Sequence, residues 1–242
     1  MRLLAFDCST EILSAALHAE GRELVHVERA ASTASERLLP AVLHLLREAG
    51  VAGTQLDAIA FGEGPGSFTG LRIACGVAQG LAEAWQLPLV PVSAFAAAAE
   101  LARTRHGESA HRALIAFDAR MREVYMQVLE YAGGQWYEPD VAQVAAVDSL
   151  RLPAAGVFGG GDAFARYPQL RERLGDALVG CDEQIFPCAQ SMIALAGGAL
   201  RAGRAVDPAA ARPNYVRDKV AYTAAERQGQ MPAAANSGRV AS

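Results

Sequence analysis

The sequence predicts an α/β fold made of two tandem units, each running βββαβαβα. Three observations predict it. A short apolar strand that ends on an acid occurs twice, at residues 2–7 and 113–118. Each is followed by two more strand-like runs and then by alternating helical and strand-like stretches. A polar connector, residues 107–112, separates the two series.

In the first unit, residues 12–19 and 23–30 read as the second and third strands, with Gly21 in the tight connection. Residues 35–49 are an amphipathic helix with Leu38, Leu39, Val42, Leu45, Leu46 and Ala49 on one face, and Gly50 stops it. Pro40 predicts a first turn that is kinked or not yet helical. A strand at 58–61 enters a loop holding Gly62, Gly64, Pro65 and Gly66, and Ser67 is a good N-cap for the helix that follows to Trp85. On that helix Arg72, Gln79 and Glu83 share a narrow stripe. Leu71, Cys75, Ala78 and Trp85 lie on a broad apolar face, and Ile73 and Val77 extend it beside Gly76 and Gly80. A helix apolar over most of its circumference is covered on two sides, by its own core and by something else. A strand at 89–92 and a helix at 93–106 complete the unit.

The second unit has strands at 113–118 and 123–131, with Gly133-Gly134 after the latter, and a third at 142–147 before a short helix from Asp148. A strand at 156–160 enters Gly159-Gly160-Gly161-Asp162; a helix to about 174, a strand near Ala177 and a helix at 190–202 follow. The two units share little residue identity, so the duplication rests on element order. The expected boundaries are 1–106, 107–221 and a tail, 222–242, whose Ala, Gly, Pro, Ser and Gln predict disorder.

Composition narrows the function classes. The chain is 52% apolar with a net charge of −4 and no basic block, so it does not read as a protein that grips nucleic acid by its phosphates alone. Cys8, Cys75, Cys181 and Cys188 are scattered and read as free thiols of a reducing cytoplasm. The N-terminal apolar run, ended by Asp7, is not a signal peptide, and no run approaches a membrane span. The glycine loop before the central helix lacks both the Gly-x-x-x-x-Gly-Lys-Ser/Thr pattern and the dinucleotide fingerprint, so the glycines read as a tight strand-to-helix turn. His18, His26, His44, His106 and His111 form no metal-binding spacing, and no Ser/His/Asp arrangement is legible.

One stretch carries a resemblance. Gly64-Pro65-Gly66-Ser67-Phe68-Thr69-Gly70-Leu71-Arg72-Ile73 looks like the signature of the TsaB (YeaZ) family. Residues 35–40, 118–125 and Pro213-x-Tyr215-x-Arg217 support it, with Arg122 a departure from the family pattern. The resemblance implies an accessory, non-catalytic subunit in bacterial synthesis of N6-threonylcarbamoyladenosine at position 37 of tRNAs that read ANN codons. It implies pairing with a TsaD-type catalytic subunit, a TsaE-type ATPase joining the pair, a homodimer in isolation, and contact with tRNA only through the complex. It implies the interface too: Leu38, Leu39, Val42 and Leu46 of the first helix, and Thr69, Arg72, Ile73, Gly76, Val77 and Gly80 of the central one. TsaD carries a His-x-x-x-His metal site on the helix after the strand at 89–92; here Ala94 and Ala98 stand at those positions, so no metal is expected.

The duplicated order also resembles the actin, hexokinase and Hsp70 class, in which an acidic turn of each half faces ATP. Asp7, Ser9 and Thr10 resemble the first phosphate turn, Asp118-Ala119-Arg120 the second, and Gly159, Gly160 and Gly161 the adenosine loop. Ser9 and Arg120 stand where that class has glycine, so this is expected to be a vestigial nucleotide site that binds ATP weakly and needs no cofactor. Asp7 and Asp118 equally suit caps of strand-end turns, and the sequence leaves both readings open. A small-molecule kinase of the same class and a glycoprotease-like metallopeptidase are the alternatives.

Overall fold

The computed structural model describes residues 1–216. The first sheet has the order β3-β2-β1-β4-β5, from β1 (Leu3–Asp7), β2 (Ile12–Ala19), β3 (Arg22–Arg29), β4 (Ala58–Gly64) and β5 (Leu89–Ser93). β1 is buried along its whole length because helices cover both faces of the sheet. Its alternate side chains go to different cores. Leu4 and Phe6 meet α1 (Ala34–Ala49) and α2 (Phe68–Trp85), while Leu3 and Ala5 meet α6 (Ala189–Arg201). β1 pairs antiparallel with β2 and parallel with β4, which is the strand geometry the predicted order requires.

The second sheet repeats the plan as β11-β10-β6-β7-β8, from β6 (Arg112–Asp118), β7 (Glu123–Ala132), β8 (Gln135–Tyr137), β10 (Val157–Gly160) and β11 (Leu178–Asp182). Its third strand is split. β8 pairs with the end of β7, and β9 (Gln143–Ala146) pairs with its start. Sequence reading placed only the second piece. The missed one follows a two-residue turn in which Gly133 and Gly134 have φ of 57° and 83°, the hairpin geometry that a Gly-Gly pair favours. The arrangement is the duplicated, actin-like one.

Local differences have local causes. α1 starts at Ala34 and runs unbroken through Pro40. Ser67 caps α2 as expected, its Oγ accepting from the Gly70 N–H at 3.3 Å. The single helix expected up to residue 174 is two short ones, α4 (Ala163–Arg166) and α5 (Gln169–Leu174), separated at Pro168.

Packing crosses the expected boundary at residue 106. α3 (Ala94–His106) packs Phe95, Ala98 and Ala102 with Ile115, Phe117 and Phe158 of the second sheet. α6 packs Met192, Ile193 and Ala196 on the first sheet. After α6, Val206 bridges to Leu89 of β5. The cut at residue 106 therefore follows the chain but not the packing. α6 covers the sheet that its own unit does not build, and α3 packs on both, with Ala97 in the core of the first. The expected disordered tail, 222–242, and Arg217 lie outside the described residues.

Candidate functional site

The turn after β1 explains the glycine signature. Asp7 is fully buried; its Oδ1 accepts from the Ser9 N–H at 2.8 Å and the Ser9 hydroxyl at 2.7 Å. Its Oδ2 has no hydrogen-bond partner. Burial pushes the carboxyl up to about 6 against the opposing pull of the two Ser9 hydrogen bonds. The loop into α2 then presses its backbone on this turn. A Cβ at Gly62 would lie 1.7 Å from Asp7 Oδ2, one at Gly66 2.3 Å from the Ser9 carbonyl oxygen, and one at Gly70 1.8 Å from the Cys8 carbonyl oxygen. The Ser67 N–H donates to that Ser9 oxygen at 2.7 Å. Gly66 and Gly70 are required because two backbones touch there, and Gly62 because the buried Asp7 carboxylate fills the space its side chain would take.

The matching turn after β6 is closed by its own hydrogen bonds. Asp118 Oδ1 accepts from the Arg120 N–H at 3.0 Å and the Tyr167 hydroxyl at 2.8 Å. Its Oδ2 pairs with Arg166 at 3.1 Å and Arg120 at 3.4 Å. The Asp118 N–H donates to Asp162 Oδ1 at 3.0 Å. Arg120, Met121 and Arg122 are all left-handed, with φ of 64°, 53° and 62°, a run costing about 1–2 kcal/mol per residue in a non-glycine chain. Arg120 also reaches Glu11 of the first unit at 3.2 Å. The chain itself packs closely against Gly159, Gly160 and Gly161. Cβ atoms there would lie 2.6 Å from Phe164, 3.0 Å from Ile115 and 2.1 Å from the Ala116 carbonyl oxygen.

Between the two turns lies a cleft of about 500 Å³. Ser9, Thr10, Phe68 and Thr69 line one side, and Phe117, Asp118, Arg120 and Asp162 the other. Asn214, Tyr215 and Val216 form a third wall that sequence reading did not anticipate. That segment is strapped to the first unit. The Asn214 N–H donates to the Glu63 carbonyl at 2.7 Å, and Gln79 Nε2 donates to the Pro208 and Ala211 carbonyls at 3.0 and 3.3 Å. Tyr215 packs on Phe68 with ring centres 5.5 Å apart and accepts from Arg72 Nε at 3.2 Å, while the Arg72 guanidinium lies 3.8 Å from the Phe68 ring centre. The Pro213-x-Tyr215 signal was visible in the sequence; its meeting with Phe68 was not.

The outer face of α1 and α2 departs from expectation in one respect. Leu38, Val42 and Leu46 are buried in the first unit's own core, so they do not face outward. One apolar stripe serves one contact, and here that contact is the sheet. Leu39 and Leu43 are the leucines α1 exposes, at 40% and 42%. On α2, Thr69, Arg72, Gly76 and Gly80 are exposed and Ile73 and Val77 half-buried. A Cβ at Gly76 or Gly80 would meet no atom within 4 Å. Ala94 and Ala98 are fully buried. Among the described residues no three metal-ligating side chains converge.

The family model described as TsaD, tRNA N6-adenosine threonylcarbamoyltransferase, matches residues 12–225. The chain is 35% identical over 229 residues to the tRNA threonylcarbamoyladenosine biosynthesis protein TsaB of Escherichia coli, covering 92% of this chain and 97% of that one. It is 35% identical to its Haemophilus influenzae counterpart over 232 residues, covering 92% and 96%. YeaZ from Pseudomonas aeruginosa superposes with a TM-score of 0.80 at 41% identity, covering 89% of this chain and 99% of that one. These are matches along nearly the whole length of the TsaB relatives: the chain belongs to the TsaB (YeaZ) family.

Proposed function

We propose that this chain works in the cytoplasm in tRNA threonylcarbamoyladenosine biosynthesis, as a non-catalytic subunit that pairs with a TsaD-type catalytic subunit. A TsaE-type ATPase joins the pair, and tRNA is engaged through the complex. The observation that carries the pairing is the α1–α2 face. Leu39 and Leu43 are exposed there, Ile73 and Val77 are half-covered, and Gly76 and Gly80 leave room for a second helix to approach. The non-catalytic reading is supported by Ala94 and Ala98, which sit deep in packed interior, and by Asp118, whose carboxylate oxygens are both engaged. The contribution to the reaction is then the differential stabilisation of one arrangement of the catalytic subunit.

The test is Gly80→Arg. The site is empty in the isolated chain, so the variant folds, and circular dichroism shows a native spectrum. In the complex the guanidinium is buried without a partner, at a cost of about 4 kcal/mol, or about a thousandfold in affinity. Co-elution with the TsaD-type subunit and tRNA modification are both lost. A folded variant that pairs normally refutes this interface.

A further inference from the structure

We propose that two copies of this chain associate through the outer edge of β3, antiparallel about a twofold axis at His26. This edge is not the α1–α2 face proposed to meet the catalytic subunit, and the inference does not depend on that reading. β3 ends the first sheet, and among the described residues its strand neighbour is β2 alone. Glu20 and Gly21 join the two strands with φ of 54° and 76°, the left-handed pair of a two-residue hairpin, so Ala19 and Arg22 form the first hydrogen-bonded pair. Antiparallel pairing then alternates. Arg22, Leu24, His26 and Glu28 turn their backbone groups to β2, and Glu23, Val25, Val27 and Arg29 turn theirs outward. The Ala30 N–H, next in the inward series, donates to the Glu11 carbonyl at 3.1 Å, in phase with this alternation. β3 has no proline and no register shift against β2 to blunt its outward row of donors and acceptors.

The residues with outward backbone groups also share one side-chain face. Val25 and Val27 lie at its centre, 43% and 47% exposed, with Glu23 before them and Arg29 after. Opposed outward backbone groups require registers that pair these residues with one another. Of these, the register centred on His26 sets Val25 against Val27 and Glu23 against Arg29, and the twofold axis repeats both pairs. Centring on Val25 sets Glu23 against Val27, and centring on Val27 sets Arg29 against Val25, so either shift loses the ion pairs. Glu23 and Arg29 hold Gln190 and Glu11 at 2.7 and 2.8 Å in the single chain, exposed contacts that exchange at little cost. On the opposite face His26 meets its own copy, each ring 3.2 Å from the Glu28 carboxylate of its own chain. Leu24 there meets Glu28, whose carboxylate is also held by Arg37 at 2.8 Å. Glu-x-Val-x-Val-x-Arg is thus self-complementary when read antiparallel, which favours a second copy over an unrelated strand.

Sedimentation velocity on the full chain tests this. The parent is expected to pass from monomer toward dimer between about 5 and 500 μM, the weak range of a small interface. Gly80→Arg, on the other face, leaves that transition in place, so failure of the partner-pairing reading and failure of this one are distinguishable. Val25→Pro removes an outward N–H and no bond to β2; it keeps a native circular dichroism spectrum and weakens the dimer by about tenfold or more. Glu23→Arg and Arg29→Glu each set like charges opposite one another and each self-associate about tenfold more weakly than the parent. Mixed in equal amounts, these two variants pair with each other within about threefold of the parent affinity, because both ion pairs are restored. A parent that stays monomeric throughout, association lost in Gly80→Arg, parent-like association by folded Val25→Pro, or no recovery in the mixture overturns the proposal.

Discussion

Three glycines of α2 allow one substitution to be made with opposite expected signs. Gly70→Ala places a methyl 1.8 Å from the Cys8 carbonyl oxygen, where ordinary contact begins at 3.4 Å. The shortfall cannot be relieved by a rotamer, because the obstacle is backbone in the turn that holds Asp7. The head of α2 has to move away, or the turn has to. Overpacking of this kind costs about 1–3 kcal/mol and more where backbone is the obstacle, while the gain in helix propensity returns at most about 1 kcal/mol. At Gly76 and Gly80 the new methyl meets nothing within 4 Å, so only the propensity gain of about 0.5–1 kcal/mol remains. For a chain of this length 1 kcal/mol is worth about 2–4 °C in Tm. The isolated chain is therefore expected to melt several degrees lower with Gly70→Ala and a few degrees higher with Gly76→Ala or Gly80→Ala. Calorimetric melts at two protein concentrations separate this from any self-association through the same face. A Gly70→Ala protein as stable as the parent refutes the claim that the signature glycines exist for backbone contact.

Two further predictions follow from the same site. Asp7 carries a folded-state value of about 6 against an ordinary 3.8, so the folded protein holds this proton more tightly than the unfolded chain. Stability from this group is therefore full below about pH 4, falls by about 3 kcal/mol in all as pH rises through 6, and is constant above about pH 7. Asp7→Asn is expected to flatten that slope in urea denaturation, and an unchanged slope refutes the assignment. Gln79→Ala removes two hydrogen bonds to the strap, worth about 1–2 kcal/mol together, and is expected to speed amide exchange in residues 206–216 while leaving β1 and β4 protected; unaltered exchange there shows that Tyr215 and Asn214 hold the segment without it.

What was legible in the sequence was what one-dimensional periodicity encodes. The repeated apolar strand ending on an acid gave both sheet centres. The cap at Ser67 and the stop at Gly50 gave helix ends within a residue, because these depend on neighbours in the chain. The errors occur where the answer depends on what is packed from far away. Leu38, Val42 and Leu46 form a stripe that reads the same whether a sheet or a partner covers it, and only the fold shows that the sheet does. At the boundary at residue 106 chain order and spatial order part, since α6 packs on the first sheet and α3 on both.

The hydrogen bonds around Asp7 and Asp118 bear on the two open readings of these acids. Asp7 and Asp118 looked equally suited to phosphate turns and to caps of strand ends. A phosphate turn keeps its N–H groups free, whereas here each acid takes the N–H two residues on, at 2.8 and 3.0 Å. The hydrogen-bond geometry therefore favours the cap at both positions. It also accounts for Ser9, where the class has glycine: its hydroxyl adds a second bond to the buried carboxylate, and its carbonyl receives the Ser67 N–H at the head of α2. The turn therefore anchors the head of the helix proposed to face the partner, so a change at Ser9 is expected to act on that helix through the Ser67 N–H.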